Sequence, residues 1–137
     1  MENIVLAAII LNSNNEFLLQ KKDLGHPWIP GKWCFFGGAL KENKEPQQTL
    51  KEILKRKLGI NIEIIKFYKN YNFEIKYDNI VKKGQDQIYI CRFNEKTSEI
   101  KLSEGAGFAF FNKKEIETIP LTKHGLEILK EYFGKEK

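Results

Sequence analysis

Arg56 and Lys57 stand three and four residues beyond Ile53, so on a helix all three share one face. Carboxylates at those positions would supply the hard oxygen ligands that Mg²⁺ demands. Isoleucine, guanidinium and ammonium supply none. Between residues 38 and 60 the chain carries six basic residues (Lys41, Lys44, Lys51, Lys55, Arg56, Lys57) against three acidic ones (Glu42, Glu45, Glu52), a local surplus of three positive charges. Such a surface suits an anionic ligand better than a metal-activated water. Just before it, Gly37-Gly38 offers backbone that tolerates φ > 0 and lets a ligand come close. Trp28, Trp33 and Phe36 cluster around that turn. The acids that remain for proton or metal chemistry are Glu42 and Glu45, ahead of the helix, and Glu104, ahead of a late strand.

The elements that position these residues follow from periodicity. Residues 4–11 are an apolar run, Asn12-Ser13-Asn14-Asn15 a polar turn, and Phe17-Leu18-Leu19 a second run, which reads as a β-hairpin. Gly25, Pro27, Pro30 and Gly31 make 23–32 a loop. Residues 33–36 form a short aromatic strand ending at the twin glycine. Pro46 suits a helix first turn and Gly59 its C-terminal cap, with Leu50, Leu54 and Leu58 as the core stripe and Ile53 widening it. Alternating apolar residues then mark strands at Ile60-Ile62-Ile64, at Phe73-Ile75-Tyr77, at 87–93 and at 107–111, with a loop across 78–84. A short helix at 113–117 and a terminal helix capped by Thr122 complete an α+β, mixed-sheet domain.

Composition bounds the rest. At 137 residues the chain is one domain, 1–137, and 42% hydrophobic content is enough for a core. The longest apolar run is far short of a membrane span and lacks the basic flank of a secretory leader, so the expected location is the cytoplasm, with no membrane partner. Cys34 and Cys91 have no zinc spacing and read as small buried hydrophobes, and His26 and His124 read as surface residues. The net charge of +5 is built mostly from dispersed lysines; only Arg56 and Arg92 are arginines, which argues against sequence-specific nucleic-acid binding.

The stretch Gly31-Lys32-Trp33-Cys34-Phe35-Phe36-Gly37-Gly38, followed by a helix closing at Leu58-Gly59-Ile60, resembles the Nudix hydrolase (MutT-like) superfamily. That family's box, G-x5-E-x7-R-E-U-x-E-E-x-G-U, aligns without a gap from Gly38 to Ile60, matching at Gly38, Leu54, Gly59 and Ile60. The resemblance spans about 4–119 and leaves the terminal helix outside. It implies an α/β/α sandwich with the box helix on one layer and a C-terminal helix in the architecture. It also implies that every acidic position of the box is replaced, by Lys44 for the first glutamate, Ile53 for the next, and Arg56 and Lys57 for the last pair, while Glu52 stands for the arginine.

In such hydrolases the cations activate water and neutralise charge on a diphosphate. Two fixed cations can do only the second. The resemblance therefore implies a domain that binds a phosphorylated nucleotide or nucleotide sugar with hydrolysis lost or impaired. Gly37, Gly38, Lys44, Arg56 and Lys57 would hold phosphate, Trp28, Trp33 and Phe36 would stack on the base, and no metal or other cofactor would be needed. Two alternatives stand beside it. One is a divalent-metal-dependent nucleoside-diphosphate-X hydrolase using Mg²⁺ and relocated carboxylates at Glu42, Glu45 and Glu104. The other is a lysine-rich protein that binds RNA or a protein partner. Family likeness also allows a homodimer.

Overall fold

The computed structural model describes residues 3–27 and 29–135. Trp28 lies outside the described residues. In chain order the elements are β1 (Asn3–Leu11), β2 (Phe17–Lys21), β3 (Trp33–Cys34), β4 (Phe36–Ala39), α1 (Pro46–Leu58), β5 (Glu63–Tyr77), β6 (Ile80–Arg92), β7 (Gly107–Phe111) and α2 (Lys123–Lys135), with single 3₁₀ turns at Thr97–Glu99 and Glu115–Glu117.

One mixed sheet holds all the strands. β1 runs parallel to β6 and antiparallel to β4 and β2, β2 also pairs with β3 and β7, and β5 pairs with β6. Alternation along β1 divides the core in two. Leu6, Ala8 and Ile10 pack with Leu50, Leu54 and Leu58 of α1. Ala7, Ile9 and Leu11 pack with Ile128, Leu129 and Tyr132 of α2. A strand buried on both faces reads as an unbroken apolar run, which is why residues 4–11 show no polar alternation. The result is an α/β/α sandwich.

The ends of α1 are capped as its sequence suggests. Glu45 at the N-cap accepts hydrogen bonds from the backbone N–H of Gln47 (3.1 Å) and Gln48 (2.6 Å). Gly59 closes the helix at φ 73°, its N–H donating to Lys55 O at 2.8 Å. Ile53 is buried in the stripe. Thr122 caps α2, accepting from Gly125 N at 3.2 Å.

Several expectations are corrected. The first hairpin pairs only at Leu11↔Phe17, its turn stapled by Asn12 Oδ1; beyond it β4 takes over pairing with β1. The series at Ile64 and at Phe73 belong to one 15-residue strand, and the expected loop at 78–84 is a two-residue turn, Asp78-Asn79, with Asp78 at φ 52°. Gly37 and Gly38 are not a positive-φ turn but lie within β4, opposite Ala7 and Leu6. Their requirement is steric. A Cβ on Gly37 would fall 1.9 Å from Leu6 O, and one on Gly38 would meet Ile53 Cδ1 at 3.2 Å.

Candidate functional site

Lys57 is the unusual residue of α1. It is 9% exposed, on the helix face turned to β4, and its Nζ donates to the carbonyl of Gly37 at 2.5 Å. The same ammonium pairs with Glu104 Oε1 at 3.2 Å. Two causes make a buried ammonium tolerable here. It sits in the last turn of α1 with Lys55 and Arg56, where the helix dipole favours cations. It also has both an oxygen acceptor and a counter-charge, without which burial would be costly.

The chain brings Glu104 there through backbone. Lys101 N donates to Leu58 O (2.8 Å) and Ser103 N to Lys57 O (3.0 Å), satisfying carbonyls left open at the helix end. Ala106 N then donates to Lys21 O (2.8 Å), and Gly105 takes φ 89° to make the bend. The loop is thus tied to α1 on one side and to β2 on the other. The hydrogen bond and charge of Lys57 hold the Glu104 carboxyl below the usual carboxylate range, with Lys22 and Arg56 adding to the effect. Three cations therefore act on one acid.

Cys34 and Gln20 complete this face, paired across β2 and β3. Cys34 is half-buried, and burial pushes its thiol up while Lys22 and Lys57 pull the other way. Gln20 is 2% exposed and donates through Nε2 to Phe35 O at 2.9 Å. Its Oε1 is buried without a hydrogen-bond partner among the described residues, 3.7 Å from where a Cβ on Gly105 would sit. Sequence reasoning passed over Gln20, although a lone amide in the run Phe17-Leu18-Leu19-Gln20 is a visible signal.

The remaining expected site residues are scattered. Gly37 and Lys57 meet, Gly38 lies against Ile53 one turn away, and Arg56 is exposed on the neighbouring helical position. Lys44 is exposed in the turn ahead of the α1 N-cap, at the opposite end of the helix from Lys57 in its last turn. Phe36 is fully buried against α1, so its ring is core and not a stacking platform. Trp33 points to the α2 face, edge-on to Phe111 at 4.8 Å, away from Lys57. Glu45 caps α1 and Glu104 pairs with Lys57. Glu42 is exposed. Among the described residues no three His, Cys, Asp or Glu side chains group as metal ligands, so Glu42, Glu45 and Glu104 do not assemble. His124 is no surface residue either: it is half-buried, its Nε2 2.7 Å from Asp86 Oδ2. A shallow depression of about 870 Å³ at the far end of β5 and β6, lined by Asn3, Glu74, Lys76 and residues 80–83, shares no residue with the Lys57 cradle.

A NUDIX-domain family model matches residues 1–132. The chain belongs to the Nudix family. The match takes in most of α2, so the terminal helix lies inside the family framework and not outside it. Among solved structures, a MutT protein from Methanosarcina mazei Go1 superposes with a TM-score of 0.81 at 20% identity, covering 98% of this chain and 94% of that one. The NUDIX domain of Shewanella oneidensis NrtR, complexed with ADP-ribose, gives 0.77 at 14% identity over 100% and 90%. The Ap4A hydrolase of C. elegans gives 0.72 at 14% identity over 100% of both chains. No curated protein matches the sequence. Among the described residues no helix is long and apolar enough to cross a membrane.

Nudix chemistry normally implies a divalent cation on the box helix. The donor set on this one does not fit it: Ile53 is packed against Gly38, and Lys57 directs an ammonium at the Gly37 carbonyl and the Glu104 carboxylate. A positive charge already stands among those oxygens, so a second would be repelled at close range.

Proposed function

We propose that this Nudix domain binds a phosphorylated nucleotide or nucleotide sugar at the Lys57 face, without a divalent cation and with hydrolysis lost or impaired. One observation carries the reading: the buried Lys57 ammonium, seated on Gly37 O and flanked by the charges of Lys22 and Arg56. Of its three donors, two are directed at Gly37 and Glu104, which leaves one N–H for a phosphate oxygen. Arg56, exposed beside it, can offer a bidentate fork. The ADP-ribose held by the Shewanella domain of the same fold supports a nucleotide diphosphate as the ligand class.

A thermal-shift screen of nucleotides and nucleotide sugars in EDTA tests the proposal. A ligand at 100 times its Kd stabilises by about 2.7 kcal/mol, and Lys57→Met removes that shift. A shift that survives Lys57→Met overturns the phosphate role. Phosphate release that requires Mg²⁺ or Mn²⁺ and stops in Glu104→Gln replaces the proposal with a metal-dependent hydrolase.

A further inference from the structure

We propose that Glu104 is a resident anion: its carboxylate occupies the place of a ligand phosphate on Lys57, and a metal-free diphosphate binds by displacing it. The inference rests on the phosphate reading above and names how the site is kept and what form of ligand it takes.

The anchoring of the loop separates backbone from side chain. Ser103 N and Ala106 N fix the main chain on both sides of Glu104, while the Glu104 side chain is 57% exposed and held by Lys57. It can rotate to solvent without moving α1 or β2. Lys57, only 11% exposed at its side chain, has no such freedom and needs an anion beside it. Glu104 supplies that anion when no ligand is bound. Its grip is weak, because an ion pair with one exposed partner gains little over hydration.

Charge sets the direction of exchange. Lys57 pairs directly with the Glu104 carboxylate, and Lys22 and Arg56 add to it, so the field at this carboxylate is positive in excess of what one ion pair supplies. A diphosphate brings more negative charge than a carboxylate and satisfies this excess better. The same field disfavours a magnesium-capped diphosphate, whose negative charge is partly neutralised and whose metal would face Lys57. Mg²⁺ should therefore oppose binding here.

Calorimetric titration with inorganic pyrophosphate in EDTA decides the matter, using wild type, Glu104→Gln and Lys57→Met. Exchange predicts that Glu104→Gln binds roughly fivefold tighter, about what losing a competing exposed ion pair is worth. It predicts loss of binding in Lys57→Met and weaker binding when Mg²⁺ is added in excess. If Glu104→Gln is unchanged or weaker while Lys57→Met abolishes binding, the exchange is overturned and the phosphate site stands. If Lys57→Met binds as wild type does, or if neither wild type nor Glu104→Gln binds, the phosphate site falls as well. Tighter binding with Mg²⁺ overturns the metal-free form of the ligand.

Discussion

The two faces of the sheet share β1 and are packed alike, yet they treat charge in opposite ways. Against α2 the polar groups sit in local pairs. Tyr71 donates to Glu131 Oε2 at 2.6 Å, Lys69 pairs with the same carboxylate, and His124 lies against Asp86. Burial and the bond to Glu131 push the Tyr71 phenol up, so it stays a donor. Against α1, Lys57 pairs with Glu104, and Lys22 and Arg56 add positive field at the same carboxylate. Apolar packing therefore fixes the fold equally from both sides. On the proposed reading, the positive field at Glu104 suits the α1 face to a ligand, while the paired groups of the α2 face hold the molecule together.

The largest expected effect comes from the backbone the two faces have in common. Gly37→Ala puts a methyl 1.9 Å from Leu6 O, a main-chain atom of the central strand that cannot give way. Either β4 separates from β1 or both strands shift. A loss of about 3 kcal/mol or more is expected, read as a fall in urea midpoint, and the Lys57 cradle goes with it because its acceptor is Gly37 O. A variant of wild-type stability would show that the twin glycine serves something other than close strand approach.

Much of this was readable from the chain, and the failures have physical causes. Pro46 and Gly59 bound α1 because a missing N–H and a left-handed cap have few other uses. Gly84 beside Lys82-Lys83 reads as loop in the sequence. It lies in β6, where a Cβ would fall 2.5 Å from both Asn3 O and the Phe73 ring. Glycine marks close approach as well as turns, and sequence alone does not separate the two. Trp33 and Phe36 look equivalent in the aromatic run, but strand parity sends one to α2 and the other to α1. The Lys57–Glu104 pair was hidden, since it depends on residues 101 and 103 bonding the carbonyls of α1.

The contrast between faces sharpens with Glu131→Gln. This change weakens the partner of both Lys69 and Tyr71, at a cost of about 1–2 kcal/mol in thermal or urea unfolding. The ligand-induced shift should be unaltered, because Glu131 lies on the α2 layer. Lys57→Met should do the reverse: stability within about 1 kcal/mol of wild type, since Glu104 can turn to solvent, and no ligand shift. If Glu131→Gln abolishes the ligand shift at unchanged fold, the two faces do not divide the work as proposed.

The smallest effect is a titration. Lys57 holds the Glu104 carboxyl below its ordinary value, so the folded state favours the ionised form. The stabilisation from this pair is accordingly present above the ordinary glutamate range and is lost as pH falls through the depressed folded value. Because Glu104 is more than half exposed, the change in global stability should be slight. Its local sign is what matters. On acidification the loop from 101 to 106 should loosen, seen as faster amide exchange at Ser103 after correction for the intrinsic pH dependence, while amides near Glu131 keep their protection. Loosening should disappear in Glu104→Gln, which has no carboxyl to protonate. Equal loosening in that variant would assign the acid response to another group and remove Glu104 as the anion held by Lys57.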